Sequence, residues 1–387
     1  MICVQTNKVM AESFDDMRPY SDAEMVSAVS RFVETPEFVK LAGFMFPDKP
    51  LPEVRDFFLS IKTVYELQHK IMFGIYEVIK QKSMTDFTYS GVEYLDPTKS
   101  YLFISNHRDI VLDAYLLQCL FVMYDIPLTQ VTFGANLMRN PIIRLAGKCN
   151  RMFKVERGGP TPREFYMALS RLSQYIRHTI RETHDSVWIA QRNGRTKDGM
   201  DRTEVALVKM LGLSGGKDKV EAFDNLNIVP LSISYEWEPC DVLKALELCR
   251  TAKFGHYEKS PDEDFNSIFT GINSQKGLVH LSINKPITRK ELADLCSEGD
   301  YNEALAQLLD SRILGGYKLM PSNYASYDIR NASDEYSSHY TPECKAMLLD
   351  KINNLPKVDD IDSEVLRKQF VDIYANPVEN CKMMAEP

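Results

Sequence analysis

Apolar residues change their spacing twice along the chain. Up to about residue 82 they recur at helical intervals. SDAE has the form of a capping box, with Ser21 as cap and Glu24 at its third position. Val26, Val29, Phe32 and Val33 then share one face. PEFVKLAGFMFP predicts a short helix stopped by Pro47, and residues 51–82 predict one or two longer helices. The first 20 or so residues are polar and unpatterned, which predicts a partly ordered lead-in. After Ser83 short apolar runs take over. They predict strands at 87–89, 101–104, 128–133, 152–155, 187–190 and 227–235, and a last one from Val279. Helical patterns lie between them at 110–123, 138–149, 162–182 and 204–213, and in VLKALELC. Beyond Thr288 the pattern is helical again, at 291–296, 301–314, 343–355 and 363–374.

Strands alternating with helices predict an α/β core. The expected architecture is a mixed central sheet flanked by helices, with an N-terminal helical bundle and a C-terminal helical extension. The expected boundaries are 1–85, 86–290 and 291–387.

Composition narrows the class of protein. A hydrophobic fraction of 44% and a charged fraction of 26% are those of a soluble globular chain. The net charge of −8 argues against a nucleic-acid binder driven by overall charge. No two cysteines form a CxxC pair, so no zinc or redox motif is present and a reducing, cytoplasmic compartment is expected. No run approaches the ~18 apolar residues of a membrane span. The N-terminus lacks the basic-then-apolar order of a leader. Any membrane contact is therefore expected to be peripheral.

Candidate chemistry begins at YLFISNHRDIVLDAYLL, from Tyr101. An apolar strand stops at Ser105 and Asn106, His107 follows at once, and Asp109 and Asp113 lie close behind. A histidine at a strand end, with acids within two helical turns, suits a general base and its orienter. Taken alone, the same letters also describe a capped turn with a solvated histidine. Several other motifs fail on inspection. His107, Arg108 and Asp109 spell a kinase HRD, but Ala114 stands where that loop needs asparagine, and no Gly-rich loop precedes it. GLSGGKD lacks the spacing of a phosphate loop. Its GxSxG letters follow a helix instead of a strand, so they mark a helix end and turn. No HExxH is present.

What remains is a set of polar strand ends. Arg157 follows FKVE, and Arg192, Asn193, Gly194, Arg195, Thr196 and Lys197 follow the strand at 187–190. Ligand sites in α/β sheets gather at the carboxyl ends of strands. Arg157, Arg192, Arg195 and Lys197 could there converge on an anion.

In their order, NHRDIVLD, FKVERGG, QRNGRTKDG and NIVPLSISYE resemble the four blocks of the glycerol-phosphate/lysophosphatidate acyltransferase superfamily, and the longer context resembles a bacterial branch of acylglycerol-phosphate acyltransferases. The resemblance spans about residues 102–287. It implies that 86–290 is an acyltransferase domain. The implied enzyme is an O-acyltransferase of phospholipid biosynthesis, moving a fatty acyl group from acyl-CoA or acyl-carrier protein to a hydroxyl of glycerol phosphate or lysophosphatidate. His107 is then the base, with Asp113 or Asp109 as its orienter, and a backbone amide near the helix start stabilises the oxyanion. Asn106, Arg108, Arg157, Arg192, Asn193, Gly194, Arg195 and Lys197 form the implied substrate-binding set. Apolar residues between Leu51 and Tyr76 are available to line an acyl groove or to serve as core. No metal and no cofactor beyond the acyl donor is implied, and no nucleic acid. The expected location is cytoplasmic, peripheral on the inner face of the membrane.

Three departures stand out. Five residues separate His107 from Asp113, where the family has four. Asn193 occupies the place of the family's glutamate, and Arg195 comes one place early. They leave open a phosphate-free lyso-aminolipid acceptor, or a lipid-binding scaffold without turnover.

Overall fold

The computed structural model describes residues 14–156, 158, 161–260 and 262–385. Its strands are β1 (Met84–Ser90), β2 (Leu102–Ser105), β3 (Gln130–Gly134), β4 (Met152–Val155), β5 (Val187–Ala190), β6 (Ile228–Tyr235) and β7 (Gly277–Ile283). They form one sheet in the order β1-β7-β6-β2-β5-β3-β4. β7 runs antiparallel to β6 and parallel to β1. β2 is parallel to β6, and β3 is parallel to both β4 and β5. The fold is thus α/β, with a mixed sheet and flanking helices, as the apolar pattern predicts. All eight residues of β6 are buried, as a strand covered on both faces requires. Pro230 is tolerated there because the β7 ladder starts one residue later, at Leu231. At Pro230 itself only the carbonyl is used, by the Asn284 amide.

The chain packs as two compact units, Met1–Val78 with Gln118–Trp188 and Ile79–Leu117 with Ile189–Pro387. In the first, the helices Asp22–Phe32, Pro36–Met45 and Leu51–Ser60 bury Met25, Phe38, Val54, Phe58, Ile61, Leu67 and Ile71 in one cluster. The predicted capping box at Ser21 and Glu24 is formed. Most apolar residues between Leu51 and Tyr76 are therefore core. Of the one or two helices expected there, the first ends at Ser60, and the stretch that follows from Val64 includes a π-helical turn, Leu67–Met72. Residues 1–13 lie outside the described residues. From Phe14 onward the expected lead-in is firmly packed. Phe14 and Met17 are buried, and the Phe14 ring meets Tyr175 edge-on at 5.2 Å. The buried Lys148 ammonium donates to the Met17 carbonyl at 2.9 Å. Burial, reinforced by the nearby Arg18, pulls that ammonium down to about 8.

The second unit carries the candidate site. Its C-terminal helix, Ser363–Ala385, runs through Pro377. A proline inside a helix leaves the carbonyl four residues back without its amide, and here that carbonyl belongs to Ile373. The polar loop after β5 packs against this point. Asn376 Nδ2 donates to the Asp198 carbonyl at 2.7 Å, and Asn380 Nδ2 donates to the Gly199 carbonyl at 3.0 Å. Gly199 has a φ of +79°, and a Cβ there would lie 2.4 Å from the Ile373 oxygen. Among the described residues no helix is long and apolar enough to cross a membrane.

Gly194 also has a positive φ, +77°, but nothing lies within 4 Å of a Cβ built there. Both Gly→Ala changes incur about 1–2 kcal/mol of left-handed strain. Gly199→Ala adds a collision with backbone, and should cost clearly more than Gly194→Ala in urea denaturation. Equal losses would show that the helix does not restrain the loop.

Candidate active site

β2 ends at Ser105, and the chain then turns sharply inward. Asn106 is fully buried and acts as an extra rung of sheet. Its Oδ1 accepts from Ile233 N at 2.8 Å, and its Nδ2 donates to Ile233 O at 3.0 Å. That bidentate grip fixes the end of β2 against β6 and sets the position of His107.

His107 is partly buried, with 13% of its side chain exposed. Its Nδ1 lies 2.8 Å from Asp113 Oδ2. The same oxygen accepts from the backbone amides of Arg108, at 2.6 Å, and Asp109, at 2.9 Å. Asp113 Oδ1 accepts from the Tyr235 hydroxyl at 2.8 Å. Backbone amides can only donate, so Oδ2 of Asp113 is an acceptor. Nδ1 therefore carries the imidazole hydrogen, and Nε2 is the basic nitrogen. The acid in contact with His107 is thus Asp113. The extra residue in the spacing is absorbed because the helix begins at Leu112, two residues later than its apolar pattern suggests.

Asp109 has a different task. Its Oδ1 accepts from Val111 N and Leu112 N, both at 2.9 Å, which caps the helix Leu112–Met123. Its Oδ2 is buried without a hydrogen-bond partner, and a Cβ on Gly271 would come within 2.1 Å of it. Burial, followed by the Asp113 charge, raises the Asp109 carboxyl above its ordinary 3.8. The amides of residues 108, 109, 111 and 112 are all engaged by these two aspartates. None of them is left for the oxyanion role expected near the helix start.

The expected cations divide into two groups. Arg108 turns into the interior, 1% exposed, where it pairs with Asp201 at 2.5 Å and Glu238 at 3.5 Å. Lys244 completes this buried cluster, pairing with Glu238 and donating to the Arg108 carbonyl at 2.6 Å. Lys197 pairs with Glu247. Asn106, the two Nη atoms of Arg108 and the Lys197 ammonium are thus taken by protein partners, while Arg108 Nε is buried without one. Arg195 lies on the loop after β5. It is buried near the Cys240 thiol and Asp109, and its Nη1 has no hydrogen-bond partner. Arg192 is half-buried, and its Nε likewise lacks one. The loop is held beside the histidine by Thr196 N, which donates to His107 O at 2.7 Å, and by Gln191 N, which donates to Ser105 O at 2.8 Å. Asn193 is exposed, and its amide donates to Glu204 Oε2 at 3.2 Å. Gly194 allows the turn through its positive φ. Arg157 lies outside the described residues.

Tyr235, Asp201, Glu238 and Lys244 were not expected from the sequence. For Tyr235 a signal was present: it ends a wholly buried strand, and a buried tyrosine hydroxyl needs a partner.

No family model matches the chain, and no curated protein matches it. Among solved structures it is similar to the 1-acyl-sn-glycerophosphate (LPA) acyltransferase PlsC from Thermotoga maritima, with 14% identity and a TM-score of 0.39, over 76% of this chain and 95% of that one.

The raised Asp109 carboxyl has a consequence for stability. A carboxyl whose folded pKa lies above its unfolded value favours folding while protonated. That stability is lost as pH climbs from 3.8 through the folded value. Asp109→Asn keeps the capping oxygen and cannot ionise. Its stability relative to the parent should therefore rise as pH climbs above the ordinary 3.8 in urea denaturation. A difference that stays constant with pH would mean that the Asp109 charge is not penalised.

Proposed function

We propose that this protein is an acyltransferase that moves an acyl group from a thioester to a hydroxyl, with His107 as general base. The observation that carries the reading is the His107–Asp113 pair at the end of β2, in which Nδ1 meets the carboxyl and Nε2 lies outside that contact. It is joined by the resemblance of four sequence blocks to glycerol-phosphate/lysophosphatidate acyltransferases.

In this reading the acceptor oxygen attacks the thioester carbonyl carbon while Nε2 takes its proton. The imidazolium that forms is stabilised by the Asp113 carboxylate through Nδ1–H. As the tetrahedral intermediate collapses, the C–S bond breaks and the departing sulfur takes the proton from Nε2. Both protons and charges balance without a protein nucleophile. Acyl-CoA or acyl-carrier protein serves as donor, glycerol phosphate or lysophosphatidate as acceptor, and the enzyme works in the cytoplasm with a peripheral membrane contact.

A second acceptor class has its own support. Lys197 and Arg108 are neutralised by Glu247, Asp201 and Glu238, so fewer cations are available for phosphate than the sequence suggests. A phosphate-free lyso-aminolipid therefore remains a competing acceptor.

The test is to incubate the full-length protein with both donors and a panel of glycerol phosphate, lysophospholipids and lyso-aminolipids, following products by mass spectrometry. His107→Ala should lower turnover by about 10²–10⁴-fold while the variant stays folded. Turnover at the parent rate would refute His107 as the base. Arg195→Lys keeps the charge but loses the planar fork. It should raise the KM of phosphate acceptors with little change for phosphate-free ones. An equal effect on both would remove Arg195 from phosphate binding.

A further inference from the structure

Tyr235 stands behind Asp113 on the side away from His107. Its hydroxyl donates to Oδ1 at 2.8 Å, while Oδ2 receives the imidazole at 2.8 Å. The three side chains thus form a line through the two oxygens of one carboxylate. Tyr235 ends β6, and the adjoining Asn106–Ile233 grip holds that end of the strand against the segment bearing His107. Its ring is 1% exposed, so water does not compete for the hydroxyl.

We infer that Tyr235 is a positioning residue for the base: by hydrogen-bonding Oδ1 it sets both the tilt of the Asp113 carboxylate and the negative charge left on Oδ2 for His107. The inference rests on His107 being the base of the proposed reaction. A donor on one carboxylate oxygen draws charge from the other, so the Tyr235 bond weakens the hold of Asp113 on the imidazolium. A base held too strongly protonated would be poor at taking a second proton. Burial and the Asp113 charge keep the tyrosine hydroxyl protonated, so it remains a donor. The other charged groups facing this line are Asp109 and Glu238, toward Tyr235, and Arg195 and Lys276, toward Asp109. Glu238 is in turn paired with Arg108 and Lys244. None of these side chains takes the place of the tyrosine on Oδ1.

The test reads the imidazole directly, so it does not depend on finding a substrate. Full-length protein labelled with ¹⁵N in histidine is titrated by NMR, with the His107 ring assigned by comparison with His107→Gln. Tyr235→Phe removes the donor, and the His107 midpoint should rise by about half to one unit, a threefold to tenfold change in proton affinity. A 3-fluorotyrosine placed at 235 is a stronger donor, and the midpoint should fall. This second variant keeps the hydroxyl in place and covers the case in which the phenylalanine variant does not fold. Midpoints that stay put, or that move the same way in both variants, overturn the inference. Lost thermal stability with unmoved midpoints would assign Tyr235 to packing alone, and also overturns it. The acyltransferase reading fails separately, if the parent protein transfers no acyl group while the two midpoints move as expected.

Discussion

The carboxylate of Asp113 is the point on which the site depends. It sits in the first turn of the helix Leu112–Met123, where the dipole of a helix start favours negative charge. Two amides of the preceding loop, a phenol and an imidazole all converge on it. The loop amides and the imidazole share one oxygen. The bond that orients His107 is therefore inseparable from the bonds that shape the loop carrying it. An aspartate one turn away in either direction would meet neither requirement. Asp109, so close in sequence, is turned aside because the helix start claims it as a cap.

A buried ion cluster provides the second support. Arg108, Asp201, Glu238 and Lys244 bring two positive and two negative charges into an interior where each side chain is at most 4% exposed. Such a cluster is worth little as a source of net stability, because desolvation offsets most of the attraction, but removing one member costs about 3–5 kcal/mol. What it supplies is connection. It joins the turn after β2, the polar loop after β5, the turn after β6 and the helix Asp241–Phe254 through groups that cannot be separately rearranged. The C-terminal helix reinforces the same loop from outside, through Asn376 and Asn380.

Strands and long amphipathic helices were legible because their apolar faces are large. The helices Glu263–Asn273 and Pro321–Asn331 were not. In the second, the buried face is made of Ser322, Asn323, Ala325, Ser326 and Asp328, small or polar residues that leave no apolar period to read. The C-terminal helix was expected to end at residue 374, just before its asparagine and Pro377. It continues through that proline, at the point where the helix meets the loop at Gly199. At the site, His107 and its two acids were legible as a group, but their division of labour depends on where the helix begins. Arg108 and Lys197 look like binding cations in sequence, and their carboxylate partners lie 50 or more residues away. Long-range ion pairs of that kind leave no local pattern.

Pairing also decides where an anion could be held in this unit. A cation already facing a buried carboxylate offers a ligand little net charge, since the carboxylate repels what the cation attracts. Arg108 faces two carboxylates and Lys197 faces one. Arg195 keeps a buried Nη1 without a hydrogen-bond partner, on the loop tied to His107 through Thr196. A buried donor left unmatched costs free energy in the empty protein. A ligand oxygen reaching that atom would relieve this cost as well as gain the attraction. Arg195 also faces a buried carboxylate, Asp109, so what sets it and Arg192 apart from Lys197 is a donor atom left unmatched on the loop after β5, not freedom from negative charge.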